Sequence, residues 1–200
     1  ETLSDADSGA KDWLNKDFFK VDKLKTIAVT HTTNSYSWTV NREKEGGDWK
    51  LAGLKKDEET DPGKLSAIGN PLGAPNFQDV VVDAKDADLG LDKPITVKLT
   101  TFDGFTYDLS VGKQNTDNDF PLRLGVSAKL SAKRVPAKDE KPEDKEKLDK
   151  EFADGLKKLK DKLVAEQGYA KWTYTVTKWT LDSLFKERKD FIAEKVEVEP

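Results

Sequence analysis

Few side chains suited to acid–base or metal chemistry occur in this chain, apart from its carboxylates. His31 is the only histidine, and there is no cysteine. A histidine can act as a general base or a metal ligand, but no second imidazole or thiolate accompanies it. The sequence therefore predicts no catalytic residue, no metal site and no cofactor, and His31 is interpreted as a strand-end residue beside a turn.

Two groups of carboxylates resemble parts of known sites. Asn115, Asp117 and Asp119 alternate like the first ligands of a calcium-binding loop. The EF-hand then requires Gly at the sixth position and Glu at the twelfth, where this chain has Phe120 and Val126. A second group surrounds the central hairpin, but nothing selects the pair that a glycosidase holds about 5–10 Å apart. Both groups are interpreted as solvated surface.

Five tryptophans are the strongest candidates for binding. An exposed indole ring can stack on a sugar or fill a pocket of a partner. Trp38 and Trp172 share the alternation of apolar neighbours in predicted strands, so both are predicted to lie in the core. Trp13 and Trp179 are the predicted interaction residues.

Charged residues make up 36% of the 200 residues, well above the usual quarter. The formal net charge is −4, and acidic and basic residues are interspersed. Without a basic excess, no nucleic-acid surface is predicted. The excess of charge predicts a modest core and extensive solvated surface.

The chain contains no methionine, so Glu1 is interpreted as the start of an excised fragment or mature product. Such a product can have lost a targeting sequence or a membrane anchor from its front. No stretch of the sequence approaches the roughly 20 apolar residues of a transmembrane helix. Any contact with a membrane is therefore expected only through a missing N-terminal anchor.

Most of the chain has the alternation of β-strands, interrupted by one long helical pattern. Strands are predicted within residues 26–40, 93–113 and 120–135, and again over 171–179. Residues 142–167 instead place apolar side chains three or four apart, at Leu148, Phe152, Leu156, Leu159 and Leu163. Short helices are predicted after Asp61 and over residues 180–192. The predicted fold is α+β, with mainly antiparallel sheets, short helices and one long amphipathic helix.

The clearest hairpin signal surrounds Asp103-Gly104. A two-residue loop there would place the apolar residues of the two strands on opposite faces. A three-residue loop, Phe102-Asp103-Gly104, pairs Leu99 with Tyr107 and gathers the apolar residues on one face. We therefore predict the bulged turn, with Gly104 left-handed and Asp103 serving turn geometry rather than catalysis.

A weak internal similarity suggests a division of the chain. Each half carries a hairpin, a Trp-bearing strand and a short helix. The predicted division has a loose segment at 1–13, a first α+β lobe at 14–90, and a second at 91–200 with the helix 142–167 inserted. Chance similarity, without two related lobes, is the alternative.

Three segments resemble the domain-of-unknown-function family 4340. LGLDKPITVKLTTFDGFTYDLSVGK resembles its "GLD-x-P, strand, turn, strand, Gly" segment. IAVTHTTNSYSWTVNREKEGGDWKL resembles its opening hairpin and Trp-x-Leu strand, and KWTYTVTKWTLDSLFKERKDFI its closing strand and helix. The resemblance spans residues 17–195, and the charged helix departs from the shortest members.

The resemblance implies an extracytoplasmic bacterial protein, anchored at the periplasmic side of the inner membrane and often accompanied by an ABC transporter of the gliding-motility type. It supplies no catalytic residues. With the composition, it predicts a non-catalytic interaction or scaffold domain whose partner is a cell-envelope protein. The alternative is a domain that binds a glycan or peptide through exposed aromatic residues, and an enzyme is a third, weaker alternative.

Overall fold

The protein was described from a computed structural model, which covers residues 18–33, 36–137 and 139–194. Within these ranges eight strands form one sheet in the order β3-β2-β1-β5-β6-β7-β8-β4, and every neighbouring pair is antiparallel. The strands are β1 (Leu24–Thr30), β2 (Trp38–Asn41), β3 (Lys50–Leu51), β4 (Asp79–Val81), β5 (Ile95–Thr101), β6 (Phe105–Val111), β7 (Asp119–Ala128) and β8 (Thr173–Thr177). The predicted α+β fold with a mainly antiparallel sheet is confirmed.

One long helix and several short ones accompany the sheet. The α-helices of the described ranges are α1 (Pro62–Ser66), α2 (Asp86–Leu89), α3 (Lys145–Gln167) and α4 (Lys178–Leu181), and 3₁₀ turns cover Pro142–Asp144, Gly168–Lys171, Asp182–Leu184 and Arg188–Phe191. The predicted helix over 142–167 is confirmed as the first of these turns followed by α3. In the same ranges, no helix has both the length and the apolar composition needed to cross a bilayer.

Three predicted elements end earlier than their patterns indicate. The strand predicted over 171–179 is limited to Thr173–Thr177 and is followed directly by α4. The strand predicted over 120–135 stops at Ala128, although Leu130 still packs against the core. The single helix predicted over 180–192 is instead the end of α4 followed by two 3₁₀ turns. In a 3₁₀ turn side chains three residues apart align, so Leu181 and Leu184 are both buried without a continuous α-helix.

The core lies on one face of the sheet. Register aligns Ile27 with Leu99 and then with Tyr107, and these side chains are at most 1% exposed. Leu65 of α1, Leu163 of α3 and Leu181 of α4 all pack in or against the same core. Because the side chains of a strand alternate between faces, the intervening residues point to the other side.

The two predicted lobes share this sheet and this core. Strands β1, β2 and β3 lie at one end, but β4 lies at the opposite edge against β8. Segment 14–90 therefore supplies both ends of the sheet, and segment 91–200 supplies its middle. The boundary predicted at residue 90 falls between elements that are joined through β1 and β5.

The β5–β6 hairpin has the predicted register. Leu99 pairs with Tyr107 and Thr100 with Thr106, which leaves Phe102, Asp103 and Gly104 as the loop. Gly104 has φ +93°, and a Cβ there would lie 2.4 Å from the backbone oxygen of Lys129. Glycine is thus required by both the backbone conformation and the available space.

Candidate functional site

A buried cluster of polar and charged groups lies where α3 meets the sheet. Glu166, in the last turn of α3, is only 5% exposed. Its Oε2 accepts a hydrogen bond from the Tyr107 hydroxyl at 2.8 Å, and its Oε1 accepts one from the backbone N–H of Lys20 at 2.9 Å. The cluster therefore joins α3 to β6 and to the segment before β1.

Lys162 completes this cluster from one helical turn earlier. Its Nζ lies 2.8 Å from Oε1 of Glu166, 2.6 Å from the backbone oxygen of Lys20 and 3.1 Å from the Tyr107 hydroxyl. The ammonium has three N–H donors, and these three acceptors match that number. It also lies 5.3 Å from the centre of the Phe105 ring, within the range of a cation–π interaction.

The electrostatics of the cluster favour a structural clamp. Burial, and next the neighbouring Glu166 carboxylate, raise the pKa of the Tyr107 phenol well above its usual value. The phenol therefore stays protonated and donates a hydrogen bond, which makes it a poor general base. The contacts described above engage both oxygens of Glu166, so the arrangement holds α3 on the sheet.

Sequence analysis missed this cluster. Lys162 and Glu166 stand four residues apart, but α3 carries other pairs of the same kind, such as Lys147 and Glu151 with 3.9 Å between charges. Only the first pair faces the core. The available signal was its position beside Leu163 in the apolar stripe, together with Tyr107 on a buried strand face.

A second candidate is the groove beside Trp179, one of the two predicted interaction residues. The Trp179 side chain is 89% exposed. It stands in α4 and lines a groove of about 440 Å³, whose opposite wall is the loop from Asn70 to Gln78. The other predicted interaction residue, Trp13, lies outside the described residues.

The prediction for Trp172 is wrong, whereas Trp38 is buried as predicted. Trp172 is 53% exposed and Trp38 only 3%. The β7–β8 ladder ends where Leu122 pairs with Tyr174, and β8 begins at Thr173. At Trp172 the chain has already left the sheet, so the alternation no longer determines which way the ring points.

A larger cleft of about 570 Å³ separates the turn before β3 from α1. Arg42 and Trp49 form one wall, with the guanidinium 4.6 Å from the centre of the indole ring. Arg42 also donates a hydrogen bond through Nε to the backbone oxygen of Leu24 at 2.6 Å. Trp49 is 7% exposed and belongs to the edge of the hydrophobic core. The contacts with Arg42 therefore hold this wall of the cleft in place.

His31 follows β1, as predicted, and its ring is partly buried. The edge of Tyr36 packs near it, with 6.0 Å between ring centres. Burial lowers the pKa of His31, and the negative charge of Glu187 acts in the opposite direction with a smaller effect. Among the described residues its Nε2 has no hydrogen-bond partner. A neutral, partly buried ring is the state that these surroundings favour.

The loop at 115–119 is organised by its own backbone rather than as a ligand cage. Oδ1 of Asn115 accepts hydrogen bonds from the backbone N–H groups of Asp117 and Asp119, both at 2.9 Å. Within the part of the chain that the structure describes, no three His, Cys, Asp or Glu side chains converge on a metal-sized site.

The predicted turn residues sit at the tip of the hairpin. The Thr101 hydroxyl donates to the Asp103 carboxylate and accepts a hydrogen bond from the Phe105 N–H at 2.9 Å. Asp103 thus stabilises the turn through a local side-chain contact. This geometry accounts for both Asp103 and Gly104 without a ligand.

The face of the sheet opposite the core is a third candidate, named here the open face. Register aligns its side chains into rows across β2, β1, β5, β6 and β7: Asn41, Thr26, Thr100, Thr106 and Ser127; Thr39, Ala28, Lys98, Asp108 and Gly125; and, from β1 onward, Thr30, Thr96, Ser110 and Arg123. These residues are exposed or half-exposed. A depression of about 340 Å³ lies at its centre, beside Lys98 and Asp108.

The three charged side chains in these rows are all in ion pairs. Lys98 and Asp108 pair across β5 and β6 at 3.4 Å. Arg123 pairs with Asp86 of α2 at 2.7 Å, and its Nε donates to the Thr173 hydroxyl at 2.7 Å. The hydrogen bond that the Arg123 guanidinium donates to Asp86 holds the pKa of the Asp86 carboxyl below its usual range. The remaining side chains are short and neutral.

Comparison with known protein families gives one match. The family model described as Domain of unknown function (DUF4340) matches residues 1–94. The match ends at Pro94, just before β5. It therefore covers the opening-hairpin segment and the LGLDKP start of the second resembling segment, but not the strands of that segment or the closing segment. No curated protein and no solved structure matches the chain. Over residues 1–94, the chain is therefore similar to the DUF4340 family of domains of unknown function.

Proposed function

We propose that this chain is a non-catalytic interaction domain that docks a protein partner on the open face of its sheet. The observation that carries the proposal is the low charge of the central rows of that face, described above, in a chain with 36% charged residues. Cores of protein interfaces are depleted in charged residues. The rows of threonine and serine on the open face have that character, whereas the outer surface of α3 does not.

Short side chains also favour docking on entropic grounds. Ordering a long, flexible side chain at an interface costs about 0.5–1.5 kcal/mol. Threonine and serine have few rotamers to lose, and Thr100 and Thr106 already face each other in the ladder. A partner that covers the centre of this face therefore orders little that is not already ordered.

The resemblance to the DUF4340 family supports a proposed place for this function in the cell envelope. The resemblance implies an extracytoplasmic domain, held at the bacterial inner membrane by an N-terminal anchor in the full-length protein. A protein of that compartment, such as a component of an ABC transporter, is the partner class that we propose. The open face then recognises a flat, weakly charged surface of that partner.

Co-purification of the full-length protein tests the proposal. The protein is extracted from its native membrane in mild detergent, with and without the substitution Thr106→Arg at the centre of the open face. The wild type is expected to retain an envelope partner, and Thr106→Arg to lose it, because a long cation would be buried without a counter-charge. The far-ultraviolet circular dichroism of both proteins should agree.

The matched control introduces the same side chain elsewhere. Asp154→Arg lies on the exposed outer surface of α3 and is expected to keep the partner. Recovery of no envelope protein with the wild type would contradict the proposal. Loss of the partner from both variants would place the docking surface elsewhere.

A second function, the binding of a small ligand through exposed aromatic residues, is favoured by a different observation. Trp179 is 89% exposed and lines a groove. A tryptophan buries a large apolar area when it is covered, so its exposure leaves an unused contact surface. This function and the docking of a protein on the open face use different parts of the molecule.

A further inference from the structure

The groove beside Trp179 lies between two short segments of the chain. One wall is α4 with the following 3₁₀ turn, and the other is the loop from Asn70 to Gln78. Its volume of about 440 Å³ falls within the range of about 300–1,000 Å³ that is typical of small-molecule sites. The groove can therefore hold a ligand of one or two rings rather than a single ion.

Both walls are fixed by the core. Leu181 and Leu184, which follow Trp179, are at most 1% exposed, and Leu72 and Phe77 of the loop are at most 5% exposed. The Thr177 hydroxyl caps α4 by accepting a hydrogen bond from the Thr180 N–H at 3.4 Å. Trp179 is thus presented on an anchored backbone, which lowers the ordering cost of binding.

The lining of the groove is neutral although the chain is highly charged. None of the described residues that line it carries an ionisable side chain, while 36% of the whole chain is charged. Besides Trp179, the polar groups of the lining are the amides of Asn70, Asn76 and Gln78 and the hydroxyls of Thr177, Thr180 and Ser183.

This combination selects among classes of ligand. A phosphate or carboxylate ligand would find no cation in the lining to pair with it. An apolar ligand would cover amide and hydroxyl groups without offering them hydrogen bonds, which is unfavourable. A sugar offers both a C–H face for an indole ring and several hydroxyl groups for amides.

We propose that this groove binds a neutral saccharide, with one sugar ring stacked on the indole of Trp179 and a hydroxyl group hydrogen-bonded to the amide of Asn76. The inference rests on the second function proposed above and names its ligand class. Asn76 is exposed on the loop and provides an amide for this contact. The protein-docking function of the open face does not depend on it.

Titration of the full 200-residue chain with defined sugars tests the proposal. The probes are chitobiose, cellotriose and maltotriose, with digalacturonate as a charged comparison. The readouts are tryptophan fluorescence and the indole N–H signals in two-dimensional NMR, which separate the tryptophans. At least one neutral probe is expected to shift the signal of Trp179 saturably, and digalacturonate is expected to bind no more tightly than the neutral probes.

Two variants identify the site. Trp179→Ala should weaken binding at least ten-fold, and Asn76→Ala several-fold. Trp172→Ala is the matched control, because Trp172 is also exposed but does not line the groove, and it should bind as the wild type does. Both tryptophan variants remove an exposed ring, so both should fold.

Three results would overturn the saccharide assignment. They are the absence of any saturable shift with the neutral probes, equal weakening by Trp179→Ala and Trp172→Ala, and a shift of the Trp179 signal only with a pool of synthetic hexapeptides. The last result would leave ligand binding by Trp179 standing with a different ligand. Loss of the envelope partner in Thr106→Arg concerns the open face alone, so the failures of the two proposals are distinguishable.

Discussion

The two ends of α3 are attached to the rest of the molecule by charged groups in different surroundings. At the carboxyl end, Glu166 and Lys162 are tied to Tyr107, and the side chain of Glu166 is only 7% exposed. At the amino end, Arg134 binds Glu140 of its own loop, whose side chain is 9% exposed, and Asp149 of α3, whose side chain is 51% exposed. The pair that attaches the helix itself at this end is therefore the exposed one. Similar ion pairs thus join the helix to the sheet at one end and to a connecting loop at the other.

The difference teaches that burial determines what an ion pair contributes. Removing one partner of a buried pair leaves a charge without compensation and is strongly destabilising. Exposed pairs contribute little and are screened by salt. We therefore expect the carboxyl end to set the stability of α3, and the amino end to set the path of the loop before it.

The largest effect is expected from Glu166→Gln. The amide cannot compensate the Lys162 ammonium, so we expect a loss of about 3–5 kcal/mol in the free energy of unfolding, measured by urea denaturation. The matched control is Glu151→Gln on the same helix, where the side chain is 60% exposed, and its effect should be near zero. Equal effects of the two substitutions would contradict the conclusion that burial determines what an ion pair contributes.

The next effect is expected from Gly104→Ala at the hairpin tip. The backbone oxygen of Lys129, which begins the connection to α3, would lie 2.4 Å from the new Cβ. With φ at +93°, we expect a loss of about 2 kcal/mol in unfolding free energy. Gly125→Ala is the control, because its Cβ would meet nothing closer than 3.9 Å. A loss in Gly125→Ala that equals the loss in Gly104→Ala would show that the close approach does not matter.

Lowering the pH should weaken the ion pair of Glu140 with Arg134 before α3, and the similar pair of Glu58 with Arg188. Hydrogen bonds from Arg188 lower the pKa of Glu58 from 4.5 to about 2, and those from Arg134 lower the pKa of Glu140. A carboxyl group whose pKa is lowered by folding stabilises the folded state above pH 4.5. This stabilisation is lost as the pH falls towards 2. The melting temperature should therefore fall over this pH interval. In Arg134→Gln, the part of the fall that comes from protonation of Glu140 should be absent. A wild-type melting temperature that did not change over this interval would contradict the prediction.

The smallest effect is expected from Gly155→Ala, between the two ends of α3. A Cβ at this position meets no atom within 4 Å, and alanine favours a helix over glycine by about 0.5–1 kcal/mol. The substitution should therefore raise the free energy of unfolding by that amount, measured by urea denaturation. A decrease would show that this surface of α3 is packed against something, contrary to the solvated surface that we infer.

Local patterns in the sequence were sufficient to predict most elements and one register. The hairpin register follows from the phase of apolar residues, because a shift by one residue would expose Leu99 or Tyr107. The stripe of α3 follows from helical spacing in the same way, and each of its predicted apolar residues is half-buried. In these cases the information lies within a few residues of the element that it determines.

The remaining features depend on contacts between distant parts of the chain. Tyr107 and Glu166 are 59 residues apart in sequence, and no local pattern relates them. The groove beside Trp179 needs Asn70 and Asn76, which approach it only because the loop is anchored through Phe77. The sequence places Trp172 in the core because its apolar alternation continues one residue before the start of β8.

The position of β4 has a consequence for how the chain folds. Within the described residues its ladder partner is β8, so this strand gains its hydrogen bonds only after Thr173–Thr177 has been synthesised. Pairing of such distant segments slows folding. The segment that matches the family model, residues 1–94, contains both edge strands, β3 and β4, together with β1 and β2, but not β5 to β8 between β1 and β4. Expressed by itself, this segment would expose the edge of β1 that pairs with β5 and leave β4 without β8, so we expect it not to fold as an independent unit.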